Sequence, residues 1–148
     1  MKKILQIPTE EDWGEYKNDL DQKYAHKMFF GKNLAEARLL FEGAVIERTG
    51  ELRFMPVIPF QYYIGAYCQY VTSPAVLNNR NASDAASCFL RLVESKLRVD
   101  PDSISPLMKE LMPAIEYLAK NQVLFDADVD IYGDFNEIFS EIERLEQR

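Results

Sequence analysis

The stretch that decides the fold is "FMPVIPFQYYIGAYCQYV", residues 54–71, which carries no formal charge and holds four of the chain's eight tyrosines. Pro56 and Pro59 exclude a regular helix or central strand before Phe60, but a proline suits the first turn of a helix. From Phe60 onward, apolar side chains recur every three or four residues. The pattern predicts a central helix near residues 59–72 that is apolar on most sides, and therefore buried or covered by a partner.

This aromatic helix is too short to cross a membrane, because Thr72-Ser73-Pro74 ends it about twelve residues after Phe60, where a span needs roughly twenty. Core packing explains most of its tyrosines, since a tyrosine buries well when its hydroxyl finds a partner. The alternative is an exposed aromatic edge that binds another protein. The tyrosines assigned to such an edge are Tyr62 and Tyr70 with Tyr63 or Tyr67.

Helical periodicity also covers most of the remaining chain. The predicted helices run over about residues 10–30, 33–48, 83–98, 106–118 and 135–146, and Pro113 is expected to kink or split the one that contains it. Residues 44–55 are also compatible with a short hairpin. Together with the aromatic helix, this gives an all-α fold: residues 1–148 form one compact, non-repeat bundle of about six helices. The sequence is also compatible with a flexible N-terminal segment over residues 1–8.

Caps and breakers set the ends of the first two helices. In the first, Thr9 is the expected cap and Gly31 the expected stop. Its apolar residues are predicted to line a single face: Trp13, Tyr16, Leu20, Tyr24 and Met28. Asn33 and Glu36 form a capping-box pattern at the start of the second helix, which Gly50 is expected to end.

The net charge of −7 lies almost entirely at the C-terminal end. Residues 126–148, an acidic loop and helix, carry eight acids against two arginines, a balance of −6. Binding of nucleic acid requires the opposite, a basic surface that displaces counterions from phosphates. An acidic end suits a basic protein partner, a divalent metal or simple solubility.

The acidic loop "DADVDIYGDFNE", residues 126–137, has acids at places 1, 3, 5, 9 and 12. This spacing resembles the twelve-residue calcium loop of the EF-hand family, although Ile131 stands where that family has glycine. The resemblance implies calcium as a cofactor. The implied ligands are Asp126, Asp128, Asp130, the Tyr132 carbonyl, Asp134 and Glu137. The alternative interpretation is that Asp134 caps the last helix, Glu137 closes a capping box, and Asp126 and Asp128 are solvated loop acids.

The remaining candidates for chemistry are few. His26, the single histidine, lies late in a predicted helix and has no nucleophile motif near it, so we expect a surface residue rather than a catalytic one. Cys68 and Cys88 lie on two predicted helices without a Cys-x-x-Cys spacing, which is typical of core cysteines in a reducing compartment. With no signal-peptide pattern at the N-terminus, the sequence predicts a cytoplasmic protein.

These observations favour a non-catalytic interaction protein with a mixed aromatic and acidic surface. Its expected partner is another protein, and the acidic surface suits a basic one. Immunity and inhibitor proteins that neutralise basic toxins have a similar general profile, which is an analogy. The residues assigned to partner binding are Tyr62, Tyr63, Tyr67, Tyr70, Asp128, Asp130 and Asp134. The alternatives are a calcium-binding module and an enzyme with its site in an aromatic cleft. No nucleic-acid or membrane partner is expected.

Overall fold

A computed structural model describes residues 6–148, and within this range the chain is helical, with no strand. The all-α prediction is confirmed. Of the predicted flexible segment 1–8, residues 1–5 lie outside the described residues, whereas Pro8 is buried.

Ten α-helices lie within the described range, and seven of them have ten residues or more. In chain order they are α1 (Leu20–Phe29), α2 (Leu34–Gly43), α3 (Val45–Phe54), α4 (Val57–Val71), α5 (Pro74–Leu77), α6 (Ala82–Val99), α7 (Pro101–Ile104), α8 (Met108–Lys120), α9 (Val129–Tyr132) and α10 (Phe135–Glu146). Short 3-10 turns occupy Glu11–Trp13, Tyr16–Asn18 and Ser105–Leu107. The number of long helices is thus close to the predicted six.

The aromatic helix α4 lies close to the predicted residues 59–72 and packs against α2 and α6, but it begins at Val57, so the exclusion of a regular helix before Phe60 is wrong. Pro56 is its N-cap and Pro59 lies in its first turn, where a missing amide proton costs no helical hydrogen bond. α6 also contacts α3 and α10, and α10 contacts α8. One continuous hydrophobic core results, with members from Trp13 to Leu145.

The prediction of one helix over residues 10–30 is wrong. Gly14 adopts φ of 57°, a conformation that ends the first 3-10 turn, and the extended Asp19 separates the second turn from α1. The expected single apolar face is therefore broken. Trp13 and Tyr16 are buried, but Leu20 is 85% exposed and Tyr24 is 49% exposed.

The predicted second helix is two helices. The capping box of Asn33 and Glu36 is formed, which confirms the start of α2. α2 ends at Gly43 because Ala44 leaves the helical conformation, with φ of −157° and ψ of 70°, and α3 then runs straight through Gly50. A glycine within a helix costs only about 1 kcal/mol relative to alanine, which the burial of Val45 and Leu52 outweighs. Both the single helix to Arg48 and the hairpin over residues 44–55 are therefore wrong.

The C-terminal helices follow the sequence pattern closely. α6 ends at Val99 before Asp100-Pro101, and α10 has the predicted bounds. α8 continues through Pro113, so the expected split does not occur, because Leu111, Ile115 and Leu118 on both sides of the proline are buried. None of the helices in residues 6–148 has both the length and the apolar character needed to cross a bilayer.

Candidate functional site

The four tyrosines assigned to partner binding are all in the core. Tyr62 is 6% exposed, and Tyr63, Tyr67 and Tyr70 are fully buried. The expected exposed aromatic edge on α4 is therefore wrong, and core packing is the correct interpretation of the helix.

Hydroxyl partners explain why α4 tolerates so many buried tyrosines. The Tyr63 hydroxyl lies 2.7 Å from the carbonyl oxygens of both Phe29 and Lys32. The Tyr67 hydroxyl donates to the Ala85 carbonyl at 2.8 Å, and the Tyr70 hydroxyl donates to Asn81 Oδ1 at 2.6 Å. A buried hydroxyl without a partner would cost free energy, whereas these hydroxyls tie α4 to neighbouring segments.

In contrast to α4, the acidic segment between α8 and α10 exposes apolar side chains to solvent. Phe125 and Ala127 anchor it in the core, but four aliphatic side chains point into solvent. Their exposed fractions are 92% for Val123, 52% for Leu124, 52% for Val129 and 74% for Ile131. Asp126, Asp128 and Asp134 line a concave surface of about 670 Å³ together with Val123, Leu124 and Val129, and Asp130 and Ile131 belong to the adjoining turn α9. We call Val123, Leu124, Val129 and Ile131, together with Asp126, Asp128, Asp130 and Asp134, the acidic–aliphatic face.

Gln122 fixes the backbone of this face. Its Nε2 donates to the carbonyl oxygens of Ala127 at 2.9 Å and Gly133 at 2.8 Å, and its Oε1 accepts from the Phe135 amide at 2.9 Å. One side chain therefore holds both ends of the segment. Sequence reasoning missed Gln122, because a glutamine after a helix has no motif that marks such a role.

Two predicted site residues act as helix caps. Asp128 Oδ1 accepts from the Asp130 amide at 2.8 Å at the start of α9, and Asp134 Oδ1 accepts from the Asn136 amide at 2.8 Å at the start of α10. The cap predicted for Asp134 is confirmed. Each carboxylate also stabilises the positive end of a helix dipole, so these acids hold their position without a metal ion.

The six groups expected as calcium ligands are not brought together. The single turn of α9 interrupts the loop, and the Tyr132 carbonyl accepts from Arg91 at 3.4 Å. The Tyr132 hydroxyl donates to Asp84 on α6 at 2.8 Å, which fixes the residue toward a neighbouring helix. Within residues 6–148, no group of three or more His, Cys, Asp or Glu side chains, Glu137 included, is placed to share a metal ion.

His26 is less exposed than the sequence suggested. Its ring stacks on Tyr16 with centroids 3.9 Å apart and on Phe30 with centroids 4.5 Å apart. Its Nε2 lies 2.8 Å from Glu10 Oε1, and the Tyr16 hydroxyl donates to Glu10 Oε2 at 2.7 Å. Hydrogen bonds from Tyr16 and His26 lower the pKa of Glu10. Sequence reasoning could not predict this contact, because Glu10 and His26 are sixteen positions apart in the chain.

Comparison with protein-family models, with curated proteins and with solved structures found no match to this chain. Its function must therefore be argued from the chemistry of its own surfaces. Of the residues predicted to bind a partner, the three aspartates lie on the acidic–aliphatic face and the four tyrosines do not.

Proposed function

We propose that the chain is a non-catalytic interaction protein whose acidic–aliphatic face binds a cationic, partly apolar segment of another protein. The supporting observation is the exposure of Val123, Leu124, Val129 and Ile131 on a backbone that Gln122 holds in place. A folded chain gains no stability from aliphatic side chains that remain in water. Val123, Leu124 and Val129 line one concave surface, and exposed apolar surface gathered in this way is typical of interaction sites.

The charge on the face determines the kind of partner. Asp126, Asp128 and Asp130 are exposed and their carboxylates have no ion pair with any residue between 6 and 148. Lysine or arginine side chains of a partner would neutralise them, and apolar side chains beside those cations would cover the aliphatic residues. Such charge complementarity speeds association and makes it sensitive to salt.

An enzyme site in an aromatic cleft has less support. The tyrosines of α4 that would line such a cleft are at most 6% exposed, so substrate has no access to their rings.

We place this function in the cytoplasm. Cys68 and Cys88 are free thiols, and burial raises the pKa of Cys68 to about 11 and raises the pKa of Cys88. Both are therefore protonated at neutral pH and serve as small apolar residues, which supports a reducing compartment.

The test is capture of partners from lysate with three forms of the protein. The wild type is compared with the double variant Val123→Ser/Ile131→Ser and with Leu39→Ser, a control on α2 whose side chain is 66% exposed. We expect one stoichiometric partner with the wild type and the control, and loss of that partner with the double variant. Equal capture by all three forms would contradict the proposal.

A second comparison tests the charge. Asp128→Asn/Asp130→Asn should weaken binding of the same partner, as should an increase from about 0.05 to 0.5 M salt. Asp102→Asn, at an exposed position on α7, is the control. If neither salt nor the double variant weakens binding, the partner is held by apolar contacts alone and the proposed charge recognition is wrong.

A further inference from the structure

A second surface has the opposite charge to the acidic–aliphatic face. Lys17, Lys23 and Lys27 surround a cleft of about 730 Å³ beside Leu20, Tyr24 and His26. We call it the lysine cleft. It lies on α1 and the preceding 3-10 turn, and the chain as a whole has a net charge of −7.

The three lysines have no ion-pair partner among the described residues, although the Glu10 carboxylate, which is bonded to His26, lies close enough to Lys17 for their charges to interact. None of the three ammonium groups forms an ion pair with a carboxylate of residues 6–148. Lys17 Nζ and Lys27 Nζ lie 6.0 Å from the ring centroids of Tyr16 and Tyr24, respectively. Asp21, on the same helix, lines a different and smaller cavity toward α3. Cations gathered at a concave surface attract an anion.

Apolar groups lie beside these cations. Leu20 and Tyr24 line the cleft and are 85% and 49% exposed, respectively. The volume lies in the usual range of small-molecule sites, which combine an apolar lining with a few polar groups. An inorganic ion would leave Leu20 and Tyr24 uncovered, whereas a ligand with an apolar body would cover them.

His26 adds an oriented polar group to the cleft. Its Nε2 is bonded to Glu10 Oε1 at 2.8 Å, and its ring is held between Tyr16 and Phe30. Glu10 occupies Nε2, and the other ring nitrogen, Nδ1, has no hydrogen bond to the described residues. A carboxylate that fixes one nitrogen of an imidazole and leaves the other for a ligand is a common functional arrangement of histidine.

We propose that the lysine cleft binds a small organic anion, a phosphate monoester or a free carboxylate joined to an aromatic or aliphatic body. The anionic group pairs with Lys23 and Lys27, and the body lies on Leu20 and Tyr24. The same chemistry occurs in soluble metabolites and in anionic lipids, and the test separates these two sources.

The test follows backbone NMR signals of the full chain during titration with 1-naphthyl phosphate. We expect saturable shifts centred on residues 16–27, much weaker shifts with inorganic phosphate, and none with uncharged 1-naphthol. Vesicles of phosphatidylserine form a separate arm: cosedimentation would identify a lipid headgroup as the source, and its absence a soluble ligand.

Matched variants decide whether the lysines carry the binding. Lys23→Gln/Lys27→Gln should weaken the affinity for 1-naphthyl phosphate at least about tenfold. Lys109→Gln/Lys120→Gln, exposed positions on α8 with the same change in net charge, should leave the affinity unchanged. Equal losses in the two pairs, or equal binding of 1-naphthol, would overturn the proposal. Shifts that depend on protein concentration without any probe would also overturn it, because they would identify a second copy of the chain as the occupant.

Discussion

The aromatic helix α4 and the acidic–aliphatic face are both rich in apolar side chains, but they use them in opposite ways. On α4, every tyrosine is at most 6% exposed and hydroxyls are bonded to carbonyl oxygens of other segments. On the face, every aliphatic side chain named above is at least 52% exposed. The comparison teaches that apolar content alone does not locate function. What distinguishes the two regions is whether the fold itself covers the apolar surface.

The largest expected effect concerns the buried aromatic side chains of α4. Tyr67→Ala removes a buried ring that stacks on Phe41 at 4.6 Å and meets Phe89 edge-on at 5.1 Å. We expect a loss of about 4 kcal/mol in the free energy of unfolding, since truncation of a buried aromatic leaves a cavity. Urea unfolding monitored by fluorescence of Trp13, the single tryptophan, measures it.

Ile131→Ala is the matched control for Tyr67→Ala. Its side chain is 74% exposed, so the loss should stay below about 0.5 kcal/mol. Comparable losses in the two variants would mean that the face is part of the folding core, and the contrast between the regions would fail.

The next effect concerns a buried site whose polar groups are incompletely paired. Arg48 and Glu51 are both 8% exposed, with Arg48 Nη2 at 2.9 Å from Glu51 Oε2, while Arg48 Nε and Glu51 Oε1 have no partner among the described residues. Burial, with a smaller contribution from Glu47, raises the pKa of Glu51 to about 7 although Arg48 opposes the shift. A carboxyl that is this easily protonated in the folded state makes stability depend on pH.

The sign follows from proton binding. Between about pH 4.3, the ordinary pKa of glutamate, and pH 7, the folded state holds the Glu51 proton and the unfolded state has released it. The protonated Glu51 carboxyl therefore contributes its full stabilisation below that interval. This contribution is lost as the pH rises through the folded-state pKa of about 7. Between pH 4 and pH 8, we expect the free energy of unfolding of the wild type to fall by at most about 3 kcal/mol more than that of Glu51→Gln.

Urea unfolding at several pH values measures this difference. Glu47→Gln, at an exposed position on the same helix, should keep most of the wild-type pH dependence. If Glu51→Gln and the wild type change in parallel with pH, the carboxyl is not titrating in this interval.

The sequence predicted the regions with local signals well. α10 has its predicted bounds because one apolar stripe and the Asp134 cap lie within thirteen consecutive residues. The core role of α4 followed from periodicity in the same way. Where the prediction failed, a backbone conformation decided the outcome, as at Gly14 with φ of 57° and at the non-helical Ala44 with φ of −157° and ψ of 70°. Neither conformation has a signature strong enough to distinguish it from an ordinary helical glycine or alanine.

The candidate sites were harder to predict because they depend on distant contacts. The sequence predicts the aspartates of the face from their charge. Its aliphatic residues resemble ordinary loop residues in the sequence, and only the folded structure shows that they are exposed. The lysine cleft has no signature in the sequence for a similar reason. Its lysines alternate in sequence with acids, and only the folded chain separates Lys23 and Lys27 from Asp21.

A smaller effect tests whether the face is rigid. Gln122→Ala removes three hydrogen bonds to the backbone of the segment, and we expect a loss of about 1–2 kcal/mol together with faster hydrogen exchange at the Phe135 amide. Gln69→Ala, at an exposed position on α4, should change neither quantity. An unchanged exchange rate at Phe135 would show that the anchors Phe125 and Ala127 hold the segment without Gln122.

The smallest expected effect on stability is the most informative about function. Val123→Ser alters a side chain that is 92% exposed, so the free energy of unfolding should change by less than about 0.5 kcal/mol. Affinity for the captured partner should nevertheless fall, because a serine in place of Val123 gives the partner a polar group to cover instead of an apolar one. Unfolding curves and binding isotherms of the same preparation separate the two quantities. A drop in stability with unchanged affinity would assign Val123 to the fold, whereas a drop in affinity alone assigns it to the partner. That separation between stability and binding is what divides the acidic–aliphatic face from α4.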